Sequence, residues 1–231
     1  DEERRKKYGR VYEQAKTAFL KRYYRHEKIE SDTETAYALA YSVGFLTAVE
    51  IKKRLPEILR GKGCLTTGFI GIRFILPTLC DIGEADLAYE LIAKRDYPSW
   101  GYMLENGATT VWERWNGYTK EDGFEDPEMN SFNHYSLGSC VEWLYSYVLG
   151  IKLDEDTEEV TIKPTVSERL TFARGGTKVN GGKISVCWKR EENVVTIEVA
   201  ADVGVKYHVD TEGRMILSKE KNGNNMKLVI K

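Results

Sequence analysis

The hydrophobic period of this chain changes once, and that change limits the folds open to it. Up to about residue 150, apolar residues recur three and four positions apart, as at Val11, Ala15 and Phe19, which is typical of an amphipathic helix. From about Leu153 onward, apolar and polar residues alternate between Gly and Asn turns, which is typical of β-strands. We therefore predict a helical domain over residues 1–150 and a small antiparallel β domain over residues 151–231.

Local signals divide each domain into elements. Ser31 and Glu34 fit a capping box, in which a hydroxyl and a carboxylate each bond an orphan amide of the first helical turn. After a first helix that carries an apolar stripe as far as Tyr23, helices are predicted over residues 35–45, 48–59, 84–93, 109–115 and 132–149. Strands are predicted over residues 160–163, 183–188, 193–199, 205–209 and 226–230.

The composition argues against several classes of protein. With 42% hydrophobic and 30% charged residues, the chain is typical of a soluble globular protein. Its formal net charge of -2 provides no basic field for nucleic acid, and the basic residues 4–7 are offset by the acidic residues 1–3. No apolar run reaches the roughly 18 residues that span a bilayer, so we expect no membrane partner.

Cysteine and histidine spacing bears on compartment and on metals. The four cysteines lie far apart without CxxC spacing, so we expect free thiols and a reducing, cytoplasmic compartment. Because the chain opens without a methionine, we also expect that these residues do not include the natural N-terminus. The three histidines are scattered with no ligand-spaced cluster around them. We predict no metal site and no cofactor.

Residues 97–115, YPSWGYMLENGATTVWERW, combine three tryptophans, two glycines and two glutamates. Packing alone rarely requires that mixture. Aromatic rings offer flat faces to a sugar, glycines let backbone approach a ligand closely, and a carboxylate among them can act as an acid or a base. The segment therefore predicts part of a carbohydrate-active site.

Several motifs, in order and at consistent spacing, resemble those of the bacterial α-L-rhamnosidases of glycoside hydrolase family 78. Together they span nearly the whole chain. They are TTGFIG (66–71), DLAYEL (86–91), YPSWGYM (97–103), GATTVWERW (107–115), FNHYSLGSCVEWLY (132–145), TIKP (161–164) and GGKISVCWKR (181–190).

The resemblance implies an inverting glycosidase with an (α/α)6 barrel followed by a β-sandwich. It implies that Glu113 is the general base and that His134 contacts the rhamnose of a glycoside or polysaccharide. The general-acid region of the family lies upstream of these motifs and has no counterpart here. Because residues 1–150 supply about half of the barrel helices, the resemblance implies the C-terminal portion of a larger enzyme, inactive or nearly so by itself.

The chemistry of inversion agrees with these roles. It needs two carboxyl groups roughly 6.5 to 9.5 Å apart, one protonated and one ionised to activate water. Glu113 is the expected ionised member, with Arg114 available to stabilise its charge. Trp112 and Trp115, three residues apart on the predicted helix, share a face that offers a sugar platform, and Trp100 is a further candidate contact. Each tryptophan equally fits a role in core packing, and Glu113 with Arg114 also fits a solvated pair.

Other functions fit the same residues. One is another (α/α)6 glycosidase or a glycoside phosphorylase, although the segment around Glu113 offers only Arg114 to an incoming phosphate. Another is a non-catalytic carbohydrate-binding protein that uses the same aromatic residues. Half of a barrel also exposes apolar helix faces, which predicts self-association or a rearranged helical packing.

Overall fold

The computed structural model describes residues 1–154 and 156–231. Glu155, which falls in the predicted boundary segment 150–156, lies outside the described residues. The chain divides into two compact units, Asp1–Gly138 and Ser139–Lys231, while regular structure changes from helix to strand at Gly150. The prediction of a helical part followed by β-sheets is therefore confirmed, and the domain boundary at residue 150 stays a prediction.

The first unit is built mainly of helices. They are α1 (Glu2–Tyr23), α2 (Glu34–Ser42), α3 (Ala48–Ile51), α4 (Arg54–Lys62), α5 (Ile72–Asp81), α6 (Ala85–Ala93), α7 (Trp100–Glu105) and α8 (Tyr135–Gly138). Two short hairpins, β1 (Tyr24–Arg25) with β2 (Lys28–Ile29) and β3 (Tyr118–Thr119) with β4 (Gly123–Phe124), and a 3-10 turn at Pro127–Met129 complete it. Helix α5 packs against α2, α6 and α8, with Tyr37, Leu55 and Leu79 fully buried around it.

The predicted capping box at Ser31 and Glu34 is wrong. Helix α2 begins at Glu34, and the side chain of Thr33 accepts the hydrogen bond from the Ala36 amide. Asp32 turns the chain with a φ of 45° just before this cap, so the helix starts later than Ser31 would allow. The carboxylate of Glu34 is thereby free to point into the unit.

Other helices also differ from their predicted limits. The helix predicted over residues 48–59 is split into α3 and α4, because Pro56 has no amide proton to donate one turn back along a continuous helix. Helix α1 forms as predicted but buries none of its residues, so its apolar stripe stays largely exposed. Tyr12 and Lys16 both donate to the Gly44 carbonyl, and the rings of Tyr12 and Phe19 contact Phe45.

The second unit opens with α9 (Cys140–Trp143) and a π-helical turn (Leu144–Val148). The strands that follow are β5 (Ile151–Leu153), β6 (Val160–Ile162), β7 (Phe172–Val179), β8 (Gly182–Glu191), β9 (Val194–Ala201), β10 (Tyr207–Val209), β11 (Ile216–Asn222) and β12 (Asn225–Ile230). The single long helix predicted over residues 132–149 is therefore wrong. It is interrupted near Ser139, and residues 132–134 are not helical.

The strands form a five-stranded antiparallel sheet in the order β11-β12-β9-β8-β7 and a three-stranded sheet in the order β10-β6-β5. In the smaller sheet, β10 pairs with β6 in parallel, which corrects the fully antiparallel prediction at that one position. Alternate residues of β8 and β9 are buried, as period-2 patterning requires, and the Trp188 indole donates to the Val148 carbonyl at 2.7 Å. Among the residues that the structure describes, no helix combines the length and the apolar composition of a membrane span.

Candidate functional site

Residues 109–115 form an irregular segment, so the short helix predicted there is wrong. Its backbone bonds to a distant segment instead of to its own preceding turn. The Glu113 amide donates to the Ser131 carbonyl at 2.8 Å, and the His134 amide donates to the Val111 carbonyl at 2.8 Å. These bonds place Glu113 and His134, the predicted base and the predicted sugar contact, on two paired segments.

The Glu113 carboxylate is half-buried and held by one of its oxygens. The Ser131 amide donates to Oε2 at 2.9 Å, so Ser131 and Glu113 bond each other twice. Among residues 1–154 and 156–231, no hydrogen bond or ion pair engages Oε1, and Arg114 forms no ion pair with Glu113. One oxygen thus fixes the side chain while the other remains open to a water molecule or a ligand.

The His134 ring is oriented by its neighbours. The Ser136 amide donates to Nδ1 at 3.3 Å, so Nδ1 is an acceptor and the neutral ring carries its proton on Nε2. Tyr135 stacks on the ring with centroids 5.1 Å apart and planes inclined by 17°. His134 therefore has an N–H donor at its ring edge, suited to a sugar hydroxyl.

Trp100 and Trp115, two of the predicted sugar contacts, lie together, with Trp115 buried and Trp100 half-buried. Their rings make an edge-to-face contact at 5.0 Å, and Trp115 is 9% exposed. The Trp115 indole donates to the Thr67 carbonyl, and the Trp100 indole donates to the Leu137 carbonyl, both at 2.9 Å. The only hydrogen-bond donor of each indole is therefore bonded to a backbone carbonyl.

Trp112 belongs to a separate aromatic cluster. It is 4% exposed and meets Phe132 and Tyr118 edge-to-face at 5.3 and 6.3 Å. Because the segment is not helical, Trp112 and Trp115 do not share a helix face, and the predicted platform of these two rings is wrong. Their burial favours support of the Glu113 segment.

The sequence analysis did not identify a buried ion pair that is connected to this segment. Glu34 is 1% exposed, and its carboxylate accepts from Lys62 Nζ at 2.5 Å and from the Thr66 amide and hydroxyl at 2.8 and 2.7 Å. Burial raises the pKa of Glu34, but these hydrogen bonds outweigh burial and leave the pKa below its usual value. No local signal marks this carboxylate as buried, because Glu34 is the first residue of α2 and has Thr33 and Thr35 as its neighbours.

The Glu34 pair connects to the tryptophans through the next residue of the chain. Thr67, beside Thr66, is buried, and its hydroxyl bonds that of Thr35 while its carbonyl accepts from Trp115. The Glu34 network thereby fixes the irregular segment between α4 and α5 to which the Trp115 indole is bonded. No group of three or more His, Cys, Asp or Glu suited to a metal ion occurs within the part of the chain that the structure describes.

Comparison with known proteins places these residues in a family. The family model of the bacterial alpha-L-rhamnosidase 6 hairpin glycosidase domain matches residues 1–148. An alpha-L-rhamnosidase of Streptomyces avermitilis is 39% identical over 168 residues, covering 71% of this chain and 16% of that protein. One of Formosa agariphila is 32% identical over 235 residues, covering 96% of this chain and 25% of that protein. The chain thus spans a quarter or less of the length of these two relatives.

Solved structures agree in fold. The crystal structure of the Streptomyces avermitilis alpha-L-rhamnosidase complexed with L-rhamnose matches with a TM-score of 0.86 and 29% identity, over 97% of this chain and 24% of that one. The native enzyme of Aspergillus terreus matches with a TM-score of 0.82 over 96% of this chain and 26% of that one, and at 24% identity this likeness concerns the fold alone. From the family match over residues 1–148 and these relatives, we conclude that the chain belongs to the bacterial α-L-rhamnosidase six-hairpin glycosidase family.

Proposed function

We propose that this chain is the C-terminal portion of a longer enzyme, here called the parent enzyme, that hydrolyses terminal α-L-rhamnosides with inversion. Membership of the family supports this reaction, as do relatives named alpha-L-rhamnosidase and one relative solved with L-rhamnose. We further propose that the helices of the first unit are half of an (α/α)6 barrel and that the strands form a β-sandwich. The substrate is then a rhamnose-containing glycoside or polysaccharide.

The observation that supports this proposal most directly is that one oxygen of the Glu113 carboxylate is fixed and the other is open. A general base needs an oxygen within hydrogen-bond reach of the attacking water and a fixed orientation. The bond from the Ser131 amide to Oε2 provides the orientation, and Oε1 is left for the water. In our proposal Glu113 takes the proton of a water molecule as that water attacks the anomeric carbon.

The remaining predicted residues have supporting roles in this proposal. His134, oriented by the bond from Ser136, donates from Nε2 to a rhamnose hydroxyl. Trp100 is only half-buried, and we propose that it contacts the sugar. Trp112 and Trp115 act from within, by holding the segment that carries Glu113.

The general acid is the part of the mechanism that we do not assign to this chain. Inversion requires a second carboxyl group, protonated and roughly 6.5 to 9.5 Å from the base. We propose that another portion of the parent enzyme supplies it. The chain alone is therefore expected to show no turnover of an unactivated rhamnoside.

The stereochemistry of the product tests the reaction. We expect the parent enzyme, incubated with methyl α-L-rhamnoside in an NMR tube, to release β-L-rhamnose first, with the α-anomer growing only as the free sugar equilibrates. First release of α-L-rhamnose would contradict inversion. Turnover of the same substrate by the chain alone would contradict the assignment of the general acid to another portion.

A further inference from the structure

Three aromatic rings near Glu113 form an exposed group, and two of them, Phe69 and Tyr135, have no role in the proposal above. We name Phe69, His134 and Tyr135 the ring platform. Phe69 is 56% exposed and Tyr135 is 84% exposed, which is unusual for large aromatic side chains that contact one another. The centroid of His134 lies 6.5 Å from that of Phe69 and 5.1 Å from that of Tyr135. The three side chains therefore form one continuous aromatic surface open to solvent.

The backbone beneath the ring platform is held firmly on both sides. Phe69 lies at the tip of the turn between α4 and α5, which is closed by bonds from the Gly71 and Ile72 amides to the Gly68 carbonyl at 3.2 and 3.1 Å. Thr67, at the base of that turn, is buried and accepts from the Trp115 indole. A fixed backbone lowers the entropy lost when a ligand orders the rings.

On the opposite side, His134 is bonded to Val111 and Tyr135 begins α8, which packs against α5. Tyr135 covers one face of the His134 ring in a nearly parallel stack. The outer faces of Tyr135 and Phe69 are then the surfaces left for stacking, since the Nε2 donor of His134 is assigned to rhamnose. Flat, exposed aromatic faces are surfaces on which the ring of a ligand can stack.

We propose that the ring platform binds the aglycone, the group attached to rhamnose, and that it selects aglycones that present a flat ring. This inference rests on the proposed function, because it places rhamnose at Glu113 and the aglycone beside it. The shared chemistry is a ring face stacked on Tyr135 or Phe69, which either an aryl group or the apolar face of a second pyranose can supply.

Ligand binding to the chain tests the ring platform without any turnover. We would titrate the chain by NMR with 4-nitrophenyl α-L-rhamnoside, with a rhamnosyl-glucose disaccharide and with methyl α-L-rhamnoside, which has no ring in its aglycone. Tyr135→Ala and Phe69→Ala should each raise the Kd of a ring-bearing rhamnoside about threefold to tenfold, as the loss of one stacked aromatic contact implies. The Kd of methyl α-L-rhamnoside should not change.

Two controls separate stacking from folding. Tyr135→Phe keeps the ring and should retain the wild-type Kd. Tyr8→Ala removes a tyrosine on α1 that is 63% exposed and should also leave every Kd unchanged. Far-UV circular dichroism of each variant verifies the helical unit.

The outcomes are distinct. Weaker binding of the nitrophenyl ligand alone supports the ring platform with an aryl aglycone, and weaker binding of both ring-bearing ligands supports it with either kind of ring. Unchanged Kd values in both alanine variants, equal weakening of methyl α-L-rhamnoside, or absence of binding by both ring-bearing ligands would overturn it. If Glu113 proves dispensable for turnover in the parent enzyme, the proposed function fails while the effect of Tyr135 on Kd is still measured.

Discussion

The buried pair of Glu34 and Lys62 makes a quantitative prediction about what holds the Glu113 segment in place. Glu34 is 1% exposed and accepts three hydrogen bonds, whereas the Lys62 side chain is 38% exposed. Removing one partner of a buried ion pair costs about 3–5 kcal/mol because the other charge is left uncompensated. Lys62→Met should therefore lower the free energy of unfolding by about 3 kcal/mol, at the low end because Thr66 still donates twice.

Glu34→Gln acts differently on the same pair. It keeps the shape of the side chain but loses a charge-assisted hydrogen bond, worth about 1.5–3 kcal/mol, so we expect a loss of about 2 kcal/mol. Lys62 can then turn to solvent, so adding Lys62→Met should cost only about 1 kcal/mol more. The double variant should lose about 3 kcal/mol where the single losses sum to about 5, a coupling of about 2 kcal/mol.

Urea unfolding at pH 7, followed by circular dichroism of the helical unit, measures these four free energies. Glu105→Gln is the matched control, because Glu105 pairs with Arg95 at 3.1 Å on the exposed surface of the same unit and should lose less than about 1 kcal/mol. If the losses of Glu34→Gln and Lys62→Met add to within about 0.5 kcal/mol, the two side chains are not coupled and the reasoning is refuted.

Three further results are expected. The folded chain lowers the pKa of Glu34, so the stabilisation from this carboxylate is present above the unfolded pKa of about 4.3 and is lost as the pH falls through the folded pKa. In urea unfolding, the wild type should therefore lose more stability than Glu34→Gln when the pH is lowered from 7 to 3. Equal losses in the two proteins would contradict this. Gly71→Ala should lower the melting temperature, because its Cβ would overlap Thr67 Oγ1 and lie 2.7 Å from a methyl group of Thr35. Gly68→Ala should leave the melting temperature unchanged, because its Cβ would have no atom within 4 Å. Equal shifts in the two variants would exclude this overlap as the cause. The exposed stripe of α1 should drive self-association that Val11→Lys weakens in sedimentation velocity, and a monodisperse wild-type monomer would contradict it.

The sequence was informative where local patterning decides the structure. The change of period near Leu153 predicted helices followed by sheets, and strands with strict alternation, such as that ending at Trp188, were found at nearly their predicted positions. Strand β7 was missed because Gly175 and Gly176 interrupt its pattern. Gly176 is needed there, since a Cβ would lie 2.8 Å from the Ile184 carbonyl oxygen of the neighbouring strand.

The candidate site was less predictable because distant contacts shape it. Glu113 and His134 were identified from their motifs, but no local signal showed that the segment of Glu113 pairs with residues 131–134 in place of forming a helix. Ser131 orients the carboxylate through its backbone amide, which any residue except proline could supply. Trp112 and Trp115 have the composition of a sugar platform, yet only tertiary packing decides that their rings turn inward.

The most direct test of the central claim is the turnover number of the parent enzyme with Glu113→Gln, measured on methyl α-L-rhamnoside beside the Glu105→Gln control. Glutamine keeps the bond to the Ser131 amide but cannot accept a proton from water, so we predict that kcat falls by about 10² to 10⁴ while the control remains close to wild type. A Glu113→Gln enzyme with near-normal kcat would contradict the assignment of the general base.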